Sequence, residues 1–170
     1  MNPQQINEPS LPPWEALQEN LRSLVRAWKA AHESVLGFHW KKLPPFNLIF
    51  PQVDFLRIQR VMSSSREHCA QQAKIIQKLQ EAALGEEMRD LRDYYQAMLP
   101  YVEDLKHLCE QLSQIAAAKQ NRLAKGKTPL REFNNQMKQY EQSIRAAQVS
   151  GHTAQQAWNN LEPSRRAIHP

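Results

Sequence analysis

Glycine is scarce in this sequence, with four residues among 170. Glycine averages about 7% of residues in globular proteins and is the usual residue of tight turns. Its scarcity therefore disfavours a sheet protein rich in hairpins. Glutamine is abundant, with adjacent pairs at 71–72 and 155–156, and such residues suit long solvated helix faces. Together these features predict an all-α protein.

The sequence also lacks the long apolar segments of membrane and secreted proteins. Residues 1–5 have neither the basic start nor the apolar core of a secretory signal, and no run approaches the roughly 18 apolar residues of a membrane span. Cys69 and Cys109 are too few for a disulfide framework. We therefore expect buried free thiols in a reducing compartment, a soluble cytoplasmic protein and no membrane partner.

Where apolar residues do occur, they recur at helical spacing. Across residues 14–35 they follow steps of three and four, and Gly37 is placed to end that helix. A second helix is predicted over about 53–84. Its centre, residues 63–68, is polar, so its inner face is only weakly apolar. That face is predicted to contain Ile58, Met62, Ser65, Cys69, Ala73, Ile76, Leu79 and Ala83.

Two further apolar series complete the pattern. Residues 88–123 keep one heptad phase straight through Pro100, which favours a single kinked helix over two separate ones. Residues 126–129, with a glycine ahead of a Thr-Pro pair, are typical of the end of one helix and the start of the next. A fourth helix is predicted from there to Ser150–Gly151, followed by a short helix over 154–161.

The predicted architecture is an all-α, elongated helical bundle with long heptad-patterned helices and a hairpin of helices three and four. Residues 1–12 are predicted to be an extended N-terminal lead-in, 13–161 a single helical domain and 162–170 a flexible C-terminal tail. Residues 37–55 carry three prolines and five aromatic residues. A connection this long and apolar is expected to pack across the helices, and it can serve as core or as binding surface.

No motif in the sequence supports catalysis or a cofactor. Gly126–Thr128 matches the end of a nucleotide-binding P-loop, but the first glycine of that motif would fall at Asn121, inside a predicted helix. Asp104 and His107 supply only half of the paired motif of metal sites in bundles. Hydrolase and zinc-protease motifs are missing as well. We predict that the chain is not an enzyme and holds no metal or cofactor.

Positive charge is concentrated in one part of the chain. The net charge is +5 and the isoelectric point is about 9.4. Residues 86–110 hold seven acidic and three basic side chains, a net of −4, whereas residues 119–145 hold seven basic and two acidic ones, a net of +5. If helices three and four form a hairpin, its tip is basic and its base acidic. A basic tip can grip a phosphate backbone, because such contacts need charge and reach but no base recognition.

The sequence therefore predicts a non-catalytic accessory subunit that contacts the phosphates of DNA or RNA within a larger nucleoprotein complex. A second basic group, Lys41 and Lys42, follows Phe38 and Trp40 in the sequence. Aromatic rings of this kind can stack on unpaired bases. The ordinary alternative is that basic residues near a helix C-terminus complement the dipole, and that aromatic residues fill the core. The predicted nucleic-acid-binding residues are Lys119, Arg122, Lys125, Lys127, Arg131, Lys41, Lys42 and Trp40.

A competing hypothesis is a coiled-coil-type interaction or assembly adaptor that does not bind nucleic acid. The heptad pattern is sustained over several helices, yet Lys119 occupies a seam position and the centre of the second helix is polar. These features favour heptad seams that are not completely buried within one chain. A protein partner or a second copy of the chain could complete them. The two hypotheses are compatible in a subunit of a nucleoprotein complex.

No motif assigns the chain to a family. The segment Arg122–Ala124, followed by Tyr140–Arg145, resembles the C-terminal helices of a primosomal replication protein. This resemblance covers a small part of the chain, and no residue role is carried over from it.

Overall fold

The computed structural model describes residues 13–37, 53–83, 85–125 and 130–161. These residues form four long helices and a short 3-10 turn, so the predicted all-α bundle is confirmed. The predicted lead-in, the predicted tail and most of the aromatic connection lie outside the described residues. The elements are α1 (Pro13–Leu36), α2 (Phe55–Ala82), the 3-10 turn (Glu86–Met88), α3 (Arg89–Lys125) and α4 (Leu130–Asn160).

The four helices alternate in direction along the chain. Gln59 near the start of α2 donates from Nε2 to Oε1 of Gln120 near the end of α3, at 2.9 Å, so α2 and α3 are antiparallel. α4 returns along α3 as the predicted hairpin. The C-terminal turn of α1 contacts the last part of α3 through Val35 and Lys119. α1 therefore runs in the same direction as α3.

α3 is the central helix and packs against the other three. α3 also buries a second row of side chains, each one position before a residue of the predicted seam. In this row Tyr94, Leu108 and Ile115 are buried and Tyr101 is half-buried. With two adjacent rows buried, α3 can contact helices on both sides. The buried part of the predicted seam consists of Tyr95, Met98, Val102, Leu105, Cys109, Leu112 and Ala116.

Pro100 lies inside α3 without ending it, as the continuous heptad phase predicted. Proline lacks the amide hydrogen that would bond to the Gln96 carbonyl, and its ring crowds that carbonyl. Pro100 and Gln96 are both exposed, so water can bond to the freed carbonyl. Met98 and Val102 on the opposite side stay buried and keep the helix packed. The kink at Pro100 stays a prediction.

The inner face of α2 matches the sequence pattern, with two corrections nearby. All eight predicted positions are buried or half-buried. Gln72 is an additional buried residue that the pattern did not predict, and its amide pairs with the His68 ring at 3.1 Å. Met88 was predicted to begin the seam of α3 and is instead 36% exposed in the 3-10 turn. Polar side chains with a local partner can thus occupy a buried face without an apolar signal.

Apolar side chains on the outer faces of the described helices are isolated. No described helix is apolar over enough consecutive residues to cross a membrane. Single exposed apolar residues are normal on protein surfaces. The large ones are Leu56, Val61, Ile75, Met88 and Val149.

α4 continues through Ser150–Gly151, where the sequence had predicted an end, so that prediction is wrong. Gly151 allows a close helix contact, because a Cβ atom there would lie 2.9 Å from Cε2 of Tyr101. Ser150 donates from Oγ to Oδ2 of Asp104 on α3, at 2.6 Å. Both residues therefore serve the α3–α4 interface, and the predicted short helix is the last part of α4.

Substitution of Gly151 by alanine combines two opposite effects. Alanine favours a helix by about 1 kcal/mol over glycine, whereas crowding a packed ring costs typically about 1–3 kcal/mol. We expect Gly151→Ala to lower the free energy of unfolding in the native sequence and to raise it by about 1 kcal/mol in a Tyr101→Ala background. Urea denaturation of the four proteins in this cycle measures both. Equal effects in the two backgrounds would show that the Tyr101 contact does not explain this glycine.

Candidate functional site

The alternating directions collect four helix termini at each end of the bundle. The hairpin end comprises residues 33–37, 53–60, 119–125 and 130–132, which are the C-termini of α1 and α3 and the N-termini of α2 and α4. The far end comprises the other four termini and the turn at 86–88. Residues near these four helix termini therefore lie at the same end of the bundle even where they are far apart in sequence.

Four exposed arginines from three helices lie at the hairpin end. Arg122 on α3 and Arg131 on α4 belong to the predicted phosphate-binding set. Arg57 and Arg60, in the first turns of α2, are additional. The sequence-based charge count covered the α3–α4 segment alone and missed them, although an antiparallel pairing of the second and third helices would have located them. Among the described residues, no salt bridge involves any of the four arginines.

Acidic side chains dominate the far end. Glu81, Glu86 and Asp93 are exposed there, and Asp90 lies in the first turn of α3, where the helix dipole favours a carboxylate. Lys78, Arg89 and Arg92 lie at the same end and offset part of this negative charge. The separation of charge in the sequence is therefore also a separation in space. It directs an electric field along the length of the bundle.

Lys119 is held by a contact with α1. Its Nζ donates to the carbonyl oxygen of Val35 at 2.6 Å, and the residue is half-buried. The last carbonyls of a helix lack partners within the helix, and α1 has no basic residue of its own in its last turn. An ammonium group from α3 satisfies one of these carbonyls and complements the dipole of α1. Lys119 thus fastens α1 to α3, and its part in phosphate binding stays a prediction.

The remaining predicted site residues lie outside the described side chains. Both boundaries of the connection between α1 and α2, Gly37 and Val53, lie at the hairpin end. Lys125 and Leu130, which border residues 126–129, also lie at that end. The roles of five residues therefore stay predictions, namely Lys125, Lys127, Lys41, Lys42 and Trp40.

The polar seam residues have partners inside the chain. Lys119 donates to α1, and the centre of α2 places Arg66 at 3.9 Å from Glu110 of α3. Ser65 in the same stretch is 7% exposed and packs within the bundle. These positions had favoured seams completed by a second protein. In the structure they serve contacts within one chain.

Cys69 and Cys109 are buried free thiols, as predicted. A hydrogen bond to Cys69, together with burial, raises the pKa of the Cys109 thiol, which keeps it protonated and unreactive. Asp104 of the incomplete metal motif accepts the Ser150 hydroxyl. Within the described ranges, no cluster of three or more His, Cys, Asp or Glu side chains could hold a metal ion.

An open cleft of about 620 Å³ separates α1 from α4, with α3 as its floor. Met98 and Leu105 lie on the floor and Trp158 on the α4 wall. The Tyr94 hydroxyl is buried without a hydrogen bond of normal geometry. Burial raises the pKa of Tyr94 to about 12, although Gln18 lies close enough to oppose that rise. The cleft is therefore a largely apolar gap between two helices that share α3 as their support.

No family model, no curated protein and no solved structure matches this chain. What the chain does therefore has to be inferred from its own side chains. The charge separation between the two ends is the property of the surface that extends over the most residues and helices.

Replacement of Lys119 by methionine tests the helix contact described above. Methionine keeps an unbranched side chain that ends where the lysine stem ends, and it lacks the ammonium group, so the Val35 carbonyl loses this donor. We expect a loss of about 1 kcal/mol in the free energy of unfolding. The matched control is Arg122→Met, an exposed position on the same helix end, which should stay within about 0.5 kcal/mol of the parent. Equal destabilisation of both variants in urea would contradict the assigned role of Lys119.

Proposed function

We propose that this chain is a non-catalytic helical subunit that contacts nucleic-acid phosphates through its hairpin end, as part of a larger nucleoprotein complex. The observation that carries the proposal is that Arg57, Arg60, Arg122 and Arg131, from three helices, are all exposed at the same end of the bundle. The acidic far end repels a phosphate backbone, so it favours an orientation in which the hairpin end faces the nucleic acid.

Arginine suits this role for a physical reason. Its guanidinium group is charged at all relevant pH values and presents several donors in a planar fork that matches phosphate oxygens. Neutralising phosphates releases condensed counterions, so affinity falls steeply with salt. Helix packing fixes the backbone positions that carry these arginines, which limits the entropy lost on binding. The four positions thus form a preorganised surface for a backbone of regular charge.

The decisive experiment compares two sets of four substitutions. In the first, Arg57, Arg60, Arg122 and Arg131 are changed to glutamine. In the control, Arg26, Lys74, Lys78 and Arg89, all exposed and away from the hairpin end, are changed to glutamine, which alters the net charge equally. Binding to labelled single- and double-stranded DNA and RNA is followed by fluorescence anisotropy between about 50 and 200 mM salt.

We expect the first set to weaken binding at least about tenfold and to reduce the slope of log affinity against log salt by up to roughly 3. The control set should keep the parent slope, because its charges make no phosphate contacts. Equal losses in both sets would show that only net charge matters. Absence of binding by the parent protein at the lowest salt would overturn the proposal.

A protein-interaction adaptor is the second candidate, and α2 provides the observation that favours it. Val61 and Ile75 are two heptads apart on one face of α2 and are 40% and 45% exposed. Large apolar side chains in heptad register on an outer face can be covered by a partner helix. For this candidate we expect Val61→Gln with Ile75→Gln to abolish partner binding or self-association, measured by sedimentation, and we expect the parent protein not to bind nucleic acid.

A further inference from the structure

Three rings join α1 to α4, and we call Trp28, His32 and Tyr140 the aromatic clasp. Trp28 donates from Nε1 to the Tyr140 hydroxyl at 3.0 Å. Nδ1 of His32 lies 2.9 Å from the same oxygen. The His32 ring also packs against both partners, with centroids 5.4 Å from Trp28 and 5.7 Å from Tyr140. One phenol on α4 therefore contacts two residues one turn apart on α1.

The clasp spans a gap between two helices. Within the described residues, the backbones of α1 and α4 do not pack directly against each other, and the open cleft continues along them from Trp28 towards the far end. Long side chains must therefore bridge the distance. The two hydrogen bonds at Tyr140 join α1 to α4 across this distance.

The hydrogen bonds of Tyr140 determine which ring nitrogen of His32 carries a hydrogen. An indole nitrogen can only donate, so the Tyr140 oxygen accepts from Trp28. Tyr140 is completely buried, and its own hydroxyl hydrogen needs an acceptor, which Nδ1 of His32 supplies if it carries a lone pair. The alternative, in which Nδ1 carries hydrogen, leaves the hydroxyl hydrogen without a partner. The neutral form of His32 with hydrogen on Nε2 is thus the form that completes the clasp.

The surroundings of the clasp disfavour charge on either titratable ring. Burial lowers the pKa of His32, with Glu33 opposing that change. Burial likewise raises the pKa of Tyr140, which the Trp28 hydrogen bond opposes and the Cys109 thiol reinforces. Both groups are therefore neutral at physiological pH, as the hydrogen count requires.

Charged groups on the neighbouring helices do not offset the burial of a protonated His32. Among the described residues, no salt bridge involves this ring. Lys119 of α3 is held by the Val35 carbonyl near the same end of α1. On α2, Asp54 is exposed, and its carboxylate accepts from the backbone amide of Arg57. Glu33, on α1 itself, is the charged neighbour that favours a protonated His32. One exposed carboxylate is a weak counterweight to burial of the ring.

We propose that protonation of His32 opens the aromatic clasp and releases α1 from α4, so that the clasp acts as a pH-sensitive latch between two helices. A doubly protonated ring cannot accept from Tyr140, so the hydroxyl hydrogen of this buried phenol loses its acceptor. The released α1 then remains attached through α2 and α3, with its side of the cleft widened.

The direction of the pH effect follows from the lowered pKa of His32. The opened state binds a proton near the ordinary histidine value of about 6.5, and the closed state binds it only at lower pH. Stabilisation by the clasp is therefore complete above that value. It is lost progressively as pH falls from there through the lowered pKa.

Amide hydrogen exchange of α1, corrected for intrinsic rates, tests the latch at about pH 7.5 and 5.5, on either side of that ordinary value. We expect protection of the α1 amides around His32 to fall roughly tenfold at the lower pH, which corresponds to loss of one buried hydrogen bond, while the α2–α3 contact keeps its protection. Imidazole nitrogen shifts should show His32 neutral, with hydrogen on Nε2, at the higher pH.

Two variants distinguish the latch from general acid destabilisation. His32→Asn places an amide oxygen near the position of Nδ1 and cannot titrate, so we expect native protection at high pH and no selective loss at low pH. His68→Gln, which changes another half-buried histidine on α2, should keep the pH response of α1. A pH response that survives in His32→Asn, uniform loss of protection across all helices, or hydrogen on Nδ1 of His32 at high pH would each overturn the proposal.

Discussion

Burial of α3 along two adjacent rows of side chains determines where every other helix lies. The predicted seam, from Tyr95 to Ala116, supplies Cys109 to the contact with Cys69 of α2 and Met98 and Leu105 to the floor between α1 and α4. The row containing Tyr94, Leu108 and Ile115 widens the buried surface. Each large apolar side chain removed from water stabilises the fold by roughly 1.5–3 kcal/mol. Among the described residues, α2 and α4 both pack on α3 and not on each other, so the bundle is organised around one helix and not around a shared axis.

The arrangement of charge depends on this organisation. Consecutive helices in a bundle run antiparallel when their connections are short. Residues near 57, 122 and 131 therefore lie at the same end of the bundle although they are far apart in sequence. Surface arginines gain little from one another and cost stability through repulsion when they are crowded. A fold that collects four of them at one end, opposite a group of carboxylates, carries a feature that packing alone does not require.

Periodicity predicted the elements well because burial of a helix face leaves a repeated apolar signal. The seam of α1, the inner face of α2 and the passage of α3 through Pro100 were all readable from spacing. Predictions were wrong or incomplete where one residue type serves two purposes. Gly151 permits a close contact with Tyr101 instead of ending a helix, and Gln72 is buried with a polar partner. Arg57 and Arg60 joined the candidate site through tertiary pairing, which no local pattern contains.

The contact between Lys119 and Val35 also has a consequence for the order of events during synthesis. α1 leaves the ribosome first, but the residue that caps its C-terminus follows 84 positions later. At translation rates of about 5–20 residues per second, this interval lasts roughly 4 to 17 seconds. During that time the apolar stripe of α1, including Leu17, Leu21 and Leu24, has no α3 to pack on. Until the third helix is complete, α2 is the helix that α1 can pack against.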